Sequence, residues 1–258
     1  MEYSTSEQQF THIHLAETDS TNSYARREAQ CLSKSHPDSE IFVITADKQT
    51  SGRGQRGTVW LSTEGENLLM TIVVRPTALA IDSCYALSVA AASALKESMQ
   101  KFGIDTVLKW PNDLYCNNCK LAGILVESDC EGTNVTQAFI GIGLNVNQTR
   151  FEKMSRRPTS MALATGKKFC VEDVMRTIMT SFIKRYTAVT EGNIHELFKE
   201  YEKSLMGYSV PMLYRDANGE FTATVEGVLH DGRIQLRCSD GELRSYYFKE
   251  VENATLGY

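Results

Sequence analysis

The hexapeptide Gly52-Arg53-Gly54-Gln55-Arg56-Gly57 sets the tightest constraint on what this 258-residue chain can fold into. It spells G-x-G-x-x-G, which acts as a dinucleotide-binding turn when a strand enters the first glycine and a helix leaves the last, so that helix N–H groups face a pyrophosphate. Neither flank fits. Upstream, a buried strand from Ile41 to about Ala46 is followed by five polar residues before the first glycine. Downstream, TVWLSTEGENLLMTIVVRP is rich in β-branched and apolar residues, is broken at Thr63-Glu64-Gly65-Glu66, and reads as strand, turn, strand. The long side chains of Arg53, Gln55 and Arg56 would also crowd a turn packed beneath a helix. The hexapeptide therefore reads as an anion-binding loop between strands, outside any doubly wound nucleotide fold.

The rest of the chain supports a sheet with helices grouped around it. Thr11 to Leu15 reads as a short strand, and DSTNSYARREAQCLSKS as a helix with Asp19, Ser20 or Thr21 available as N-cap. A second helix is expected from Asp82 to about Phe102, ended by Gly103. TVLKW and DLYCNNCKLAGILVES read as strands, the latter folding into a hairpin with Asn117-Asn118 at its tip, because Asn tolerates the positive φ of tight turns. QAFIGIGLNVNQ reads as a buried strand ending near Asn145, and helices fill Thr159 to Ala164, Val171 to Thr190 and Asn193 to Ser204. The expected class is α+β, a mixed β-sheet with flanking helices. After Met206 the pattern changes to short β segments separated by Gly- and Asp-containing turns, a small β-barrel in outline. The boundary is placed at about residue 205, giving units 1–205 and 206–258.

Composition narrows the function classes. A formal net charge of −5 provides no global cationic field for sequence-independent nucleic-acid binding, so no DNA partner is expected. No apolar run approaches the roughly 20 residues of a membrane span, and the first ten residues lack a basic stretch followed by an apolar one. A cytoplasmic protein with no membrane partner is expected. Seven cysteines, an odd number in a long chain, read as reduced thiols. Cys116-x-x-Cys119 has no second pair, so two unrelated thiols are read there in preference to a zinc or redox site.

Three segments carry chemistry. The glycine loop followed by Trp60 sets guanidinium groups beside an aromatic plane, suited to phosphate, carboxylate and a purine face. KWPND, Lys109 to Asp113, puts a proline turn ahead of an amide and a carboxylate that can coordinate Mg²⁺ or accept a proton. KLAGILVE holds Lys120 near Ala122 and Gly123, where a ligand can approach the backbone.

Together DSTNSYA, KQTSGRGQRGTVW, KWPNDLY, KLAGILVE and GIGLNVN occur in the order and approximate spacing of the biotin protein ligases, and the β-rich tail resembles that family's SH3-like C-terminal domain. The resemblance implies two-step acyl transfer. ATP and biotin give biotinyl-5′-AMP, and the biotinyl group passes to a lysine of a biotin carboxyl carrier protein or domain. It also implies roles for particular residues. Lys120 would bridge the biotin carboxylate and the α-phosphate, with Arg53 and Arg56 acting from the loop. Ser20, Thr21, Asn22 and Gln49 would bind the ureido ring and its surroundings, next to Gly54, Gln55 and a space-making Gly123. Gly57, Trp60, Asn112 and Asn145 would contact the nucleotide. Asn112 and Asp113 fall where the family places Mg²⁺, and Asp113 is the candidate for deprotonating the incoming lysine. Bacterial relatives often read Gly-Arg-Gly-Arg-Arg-Gly, so Gln55 brings an amide where they bring a charge. About ten residues precede the first strand, so the form without a winged-helix DNA-binding domain is expected. The rivals are a lipoate or octanoyl ligase, whose loop usually carries Arg-Arg and a downstream His, and a non-catalytic protein that binds biotinyl-AMP.

Overall fold

The computed structural model describes residues 10–37, 39–76, 78–151 and 157–256; the side chain of Arg56 lies outside the described atoms. Strand β1 (Thr11–Thr18) pairs in parallel with β2 (Phe42–Gln49), and helix α1 (Thr21–Ser35) connects them. Along β2 the side chains alternate. Phe42 and Ile44 pack under α1 with Ala25, Ala29, Val73 and Phe139, while Val43 enters the larger core on the opposite face. Strands β3 (Leu68–Val74), β4 (Val107–Lys109), β5 (Asp113–Cys116), β6 (Cys119–Glu131) and β7 (Asn134–Leu144) complete a seven-stranded sheet in the order β1-β2-β3-β7-β6-β5-β4. Every pair after β1 and β2 is antiparallel. All seven residues of β3 are buried, which is why LLMTIVV is a continuous apolar run with one hydroxyl instead of an alternating pattern.

Helices α2 (Tyr85–Lys101), α3 (Met161–Thr165), α4 (Val171–Thr190) and α5 (Ile194–Lys203) follow the sequence expectation closely, and α2, α4 and α5 supply the larger core. The left-handed Gly103 closes α2, with Gly103 N–H donating to Gln100 O and Ile104 N–H to Met99 O. Asn117 and Asn118 take φ of 49° and 59°, the positive values expected of a two-residue hairpin turn between β5 and β6. Among the described residues no helix is long and apolar enough to cross a membrane. The seven cysteines are all free thiols, and Cys116 and Cys119 are simple register partners flanking the hairpin turn.

Two sequence expectations change. Strand β2 continues to Gln49, and TVWL forms no strand: its one pairing is an isolated bridge between Arg53 and Val59. The loop folds back on itself instead, with Gly54 N–H donating to Thr58 O and Trp60 N–H to Gly52 O. A Cβ on Gly52 would lie 2.4 Å from Trp60 O, and one on Gly54 2.4 Å from Thr58 Oγ1. These two glycines are needed for this close return, not for a pyrophosphate turn beneath a helix.

The second sheet comprises β8 (Met212–Asp216), β9 (Gly219–Val228), β10 (Ile234–Cys238), β11 (Leu243–Tyr246) and β12 (Glu252–Asn253), antiparallel in the order β11-β10-β9-β8-β12. The expected barrel is observed as this open order of ladders. Its inward residues Tyr214, Val225 and Leu236 join the same apolar cluster as α2 and α5. The KWPND turn is held in this junction. Trp110 Nε1–H donates to Gly232 O at 2.9 Å, and its ring meets Phe248 edge-on with centroids 6.2 Å apart. Tyr85 donates to Pro111 O at 2.8 Å and lies 2.9 Å from the Tyr201 hydroxyl; burial pushes both phenols well above their usual range, so both stay protonated. Trp110→Phe removes the bond to Gly232 and part of the ring contact. It is expected to cost about 1–2 kcal/mol, a melting temperature roughly 2–6 °C lower in a thermal scan.

Candidate active site

A cavity of about 450 Å³ opens where the N-terminus of α1, the glycine loop, the β5–β6 hairpin and the end of β7 meet. Ser20, Thr21, Asn22, Gln49, Arg53, Gly54, Gln55, Trp60, Asn112, Asp113, Lys120, Gly123 and Asn145 all line it. Of the remaining candidates, Gly57 is not brought there but sits at an exposed loop position with φ 83°, and the Arg56 side chain is outside the described atoms.

One side of the cavity is a buried polar tier. Ser20 is the N-cap of α1 in extended conformation, yet its hydroxyl makes no capping hydrogen bond and stays available to the cavity. Thr21 N–H donates to Gln49 Oε1 at 2.8 Å, and the Thr21 hydroxyl lies 3.2 Å from the same oxygen, which explains why β2 must run on to Gln49. The Thr71 hydroxyl lies 2.8 Å from Thr21 Oγ1 and 2.6 Å from Asn22 Oδ1, and Asn22 Nδ2 donates to Glu127 Oε2 at 3.0 Å. A Cβ on Gly141 would lie 2.5 Å from Asn22 Oδ1, so the glycine lets Asn22 lie flat against β7. Sequence reasoning missed Thr71 and Glu127. The available signals were a lone hydroxyl inside an apolar strand and the acid that ends KLAGILVE.

The other side holds the charges. Lys120 Nζ lies 2.7 Å from Asp113 Oδ1, with side chains 22% and 4% exposed. Removal from water makes this pair far more consequential than a surface ion pair. Arg53 grips Glu127 with two parallel bonds, Nη1–H to Oε2 at 3.1 Å and Nη2–H to Oε1 at 2.8 Å. Asn112 is locked onto β6 at two points, its Nδ2 donating to Ile124 O at 2.8 Å and its carbonyl accepting from Ile124 N at 2.9 Å. Buried Asn145 donates to Thr159 O at 2.8 Å, tying the end of β7 to the segment before α3.

Trp60 forms the floor. A Cβ on Gly143 would fall 2.4 Å from its Cε2, and one on Gly123 3.2 Å from its Cζ3 and 3.3 Å from Lys120 Nζ. Gly123 therefore makes room for Trp60 and Lys120. Trp60 Nε1 and Gln55 Oε1 are buried with no hydrogen-bond partner among the described residues, a donor and an acceptor on residues that line the cavity. Phe248 and Lys249, from the turn after β11, also line it, and no signal in the tail sequence marked them.

Among the described residues, the His/Cys/Asp/Glu group close enough to share an ion is Cys238, Asp240 and Glu242 on the second sheet, none of which lines the cavity. Asn112 and Asp113 fall well short of the roughly six oxygens Mg²⁺ takes. They suit an ion delivered by nucleotide phosphates, not one the protein holds by itself.

Residues 16–145 match the model of the Biotin/lipoate A/B protein ligase family. The chain is 30% identical over 243 residues to Bifunctional ligase/repressor BirA of Bacillus spizizenii, covering 93% of this chain and 74% of that one. It is 29% identical over 234 residues to Biotin--[acetyl-CoA-carboxylase] ligase of Paracoccus denitrificans, covering 88% and 94%. Its fold superposes on biotin protein ligase from Aquifex aeolicus in complex with biotin and ATP with a TM-score of 0.76 at 23% identity, covering 94% and 99%. On these findings and on the motifs that meet in the cavity, the chain belongs to the biotin/lipoate A/B protein ligase family.

Proposed function

We propose that this protein is an ATP-dependent biotin ligase, with residues 1–205 as the ligase unit and 206–258 as a small β unit that completes the cavity wall. The biotin carboxylate attacks the α-phosphate of ATP, the bond to the β-phosphate breaks, and biotinyl-5′-AMP and pyrophosphate form. The ε-amine of a lysine on a biotin carboxyl carrier domain then attacks the acyl carbon, and AMP leaves. Both reactants of the first step are anions, so the reaction needs cations oriented before it begins.

The observation that carries this reading is the Lys120–Asp113 pair at 2.7 Å, between a polar tier and an aromatic floor in one cavity. Lys120 meets the carboxylate and the α-phosphate together. Arg53 supports it from the loop, and Arg56 is assigned there by its place in the motif. Ser20, Thr21, Asn22 and Gln49 hold the ureido group, Trp60 and Asn145 the nucleoside. Asn112 and Asp113 would face a Mg²⁺ brought in with the nucleotide, which would offset the charge of the phosphates. Once Lys120 has swung onto the anions, Asp113 is the base beside the incoming amine.

The polar tier favours biotin over lipoate. Ser20, Thr21 and Asn22, buried at the cavity wall beside Gln49, offer hydrogen-bonding groups that a ureido ring can meet and the apolar ring end of lipoate cannot. The test is incubation with ATP, Mg²⁺, a biotin carboxyl carrier domain and either labelled biotin or labelled lipoate. Biotin is expected to become attached to the carrier. Labelling by lipoate alone, or pyrophosphate release that needs no added acid, would overturn the assignment.

A further inference from the structure

We propose that Glu127 is the positioning residue for Arg53, and that it ties the polar tier to the loop that meets the reacting anions. The inference rests on the ligase reading above. Glu127 ends KLAGILVE on β6, and its carboxylate is shared between two structures. Oε1 accepts from Arg53 Nη2 at 2.8 Å, and Oε2 accepts from both Arg53 Nη1 at 3.1 Å and Asn22 Nδ2 at 3.0 Å. Asn22 Oδ1 accepts from the Thr71 hydroxyl, Thr71 accepts from the Thr21 hydroxyl, and Thr21 N–H donates to Gln49. One carboxylate therefore joins the loop guanidinium to the floor of the acid-binding tier by an unbroken run of hydrogen bonds.

The grip orients Arg53 without exhausting it. A guanidinium has five N–H donors, and the end-on contact with Glu127 engages one on each terminal nitrogen, leaving Nε–H and one N–H on each side for a ligand. Arg53 stands on a loop with Gly52, Gly54 and Gly57, which by itself gives the side chain little direction. Glu127 has two opposed effects on a bound anion. Its charge repels the anion, while its grip aims the cation, so removing it alters ground-state affinity little. The rate depends on the aimed charge being in place before reaction, so the chemical step slows.

The test is a double-mutant cycle on Glu127→Gln, Arg53→Gln and the pair, following pyrophosphate release with biotin titrated at saturating ATP, together with melting temperatures. Glu127→Gln keeps the shape and an acceptor for Asn22. It is expected to lower kcat about tenfold with the biotin KM changed less than about threefold, and to have no further effect once Arg53 is Gln. Glu127→Asp, too short to span both partners, should resemble Glu127→Gln. Hydrogen exchange gives a reading independent of turnover: residues 50–61 should lose protection in Glu127→Gln while α1 keeps its own. Effects that add across the cycle, a loss confined to KM, or unchanged loop protection would overturn the assignment of Glu127 alone. A wild-type protein that releases no pyrophosphate with biotin would instead overturn the ligase reading, and this inference with it.

Discussion

Lys120→Gln is expected to leave a folded protein whose biotin-dependent pyrophosphate release falls by about 10²–10³-fold, the loss that follows removal of one oriented charge or donor from a reacting centre. Lys120 is placed by the backbone of β6 and by two further bonds, Lys120 N–H to Arg157 O and Thr159 N–H to Lys120 O. Glutamine at this position loses reach and charge together. The change also takes the 2.7 Å cationic partner from Asp113, whose side chain is 4% exposed, and removing one member of a buried ion pair is costly. The melting temperature should therefore drop with activity. The two consequences separate in Lys120→Gln/Asp113→Asn, which removes both charges: stability should recover while pyrophosphate release stays low. Recovery of activity in the double variant, or release within about threefold of wild type in the single one, would show that Lys120 is a structural partner of Asp113 and no more.

The second large effect belongs to a residue with no side chain. Gly143→Ala puts a Cβ 2.4 Å from Trp60 Cε2, with backbone on one side and an indole on the other, so the indole must leave its place. If Trp60 stacks on the nucleoside, ATP affinity should fall by about 10–100-fold, the equivalent of the 1–3 kcal/mol that base stacking on an aromatic ring contributes. Biotin affinity, set by the polar tier, should change by less than about threefold. Gly123→Ala, whose nearest contacts are 3.2 Å to the indole and 3.3 Å to a flexible lysine, should be the milder of the two. Calorimetric titration of ATP and biotin into each variant decides it. Equal losses of both ligands would mean that Trp60 is general packing.

What could be read in advance was largely local. The Asn117-Asn118 turn announces itself because few residues accept φ near 50–60°. Helix α4 spans Val171–Thr190, the bounds its apolar spacing predicts. TVWL misled because β-branched composition describes a segment's taste for a pleated surface, and here the loop's own fold-back bonds Gly54–Thr58 and Trp60–Gly52 take the backbone first. Motif resemblance brought Lys120 and Asp113 to one place, but it gave no sign that they are an ion pair: the residues are seven apart in sequence, with a turn and a bulge between them. Thr71 and Glu127 were invisible for the same kind of reason. Their importance comes from partners 49 and 105 residues away. Phe248 and Lys249 reach the cavity through the packing of the second sheet, which no pattern within the tail reveals.

The clasp on the KWPND turn has a consequence for how the protein comes into being. Trp110 and its hydrogen-bond partner Gly232 are separated by 122 residues. At a synthesis rate of about 5–20 residues per second, the turn is synthesised roughly 6–24 s before the carbonyl that anchors it. During that interval β5 and β6 can already pair, because their hairpin is local and needs microseconds. Asp113 and Lys120 thus meet early, while the indole beside them waits as exposed apolar surface. A nascent chain that has not reached residue 232 can carry the hairpin but cannot close the clasp.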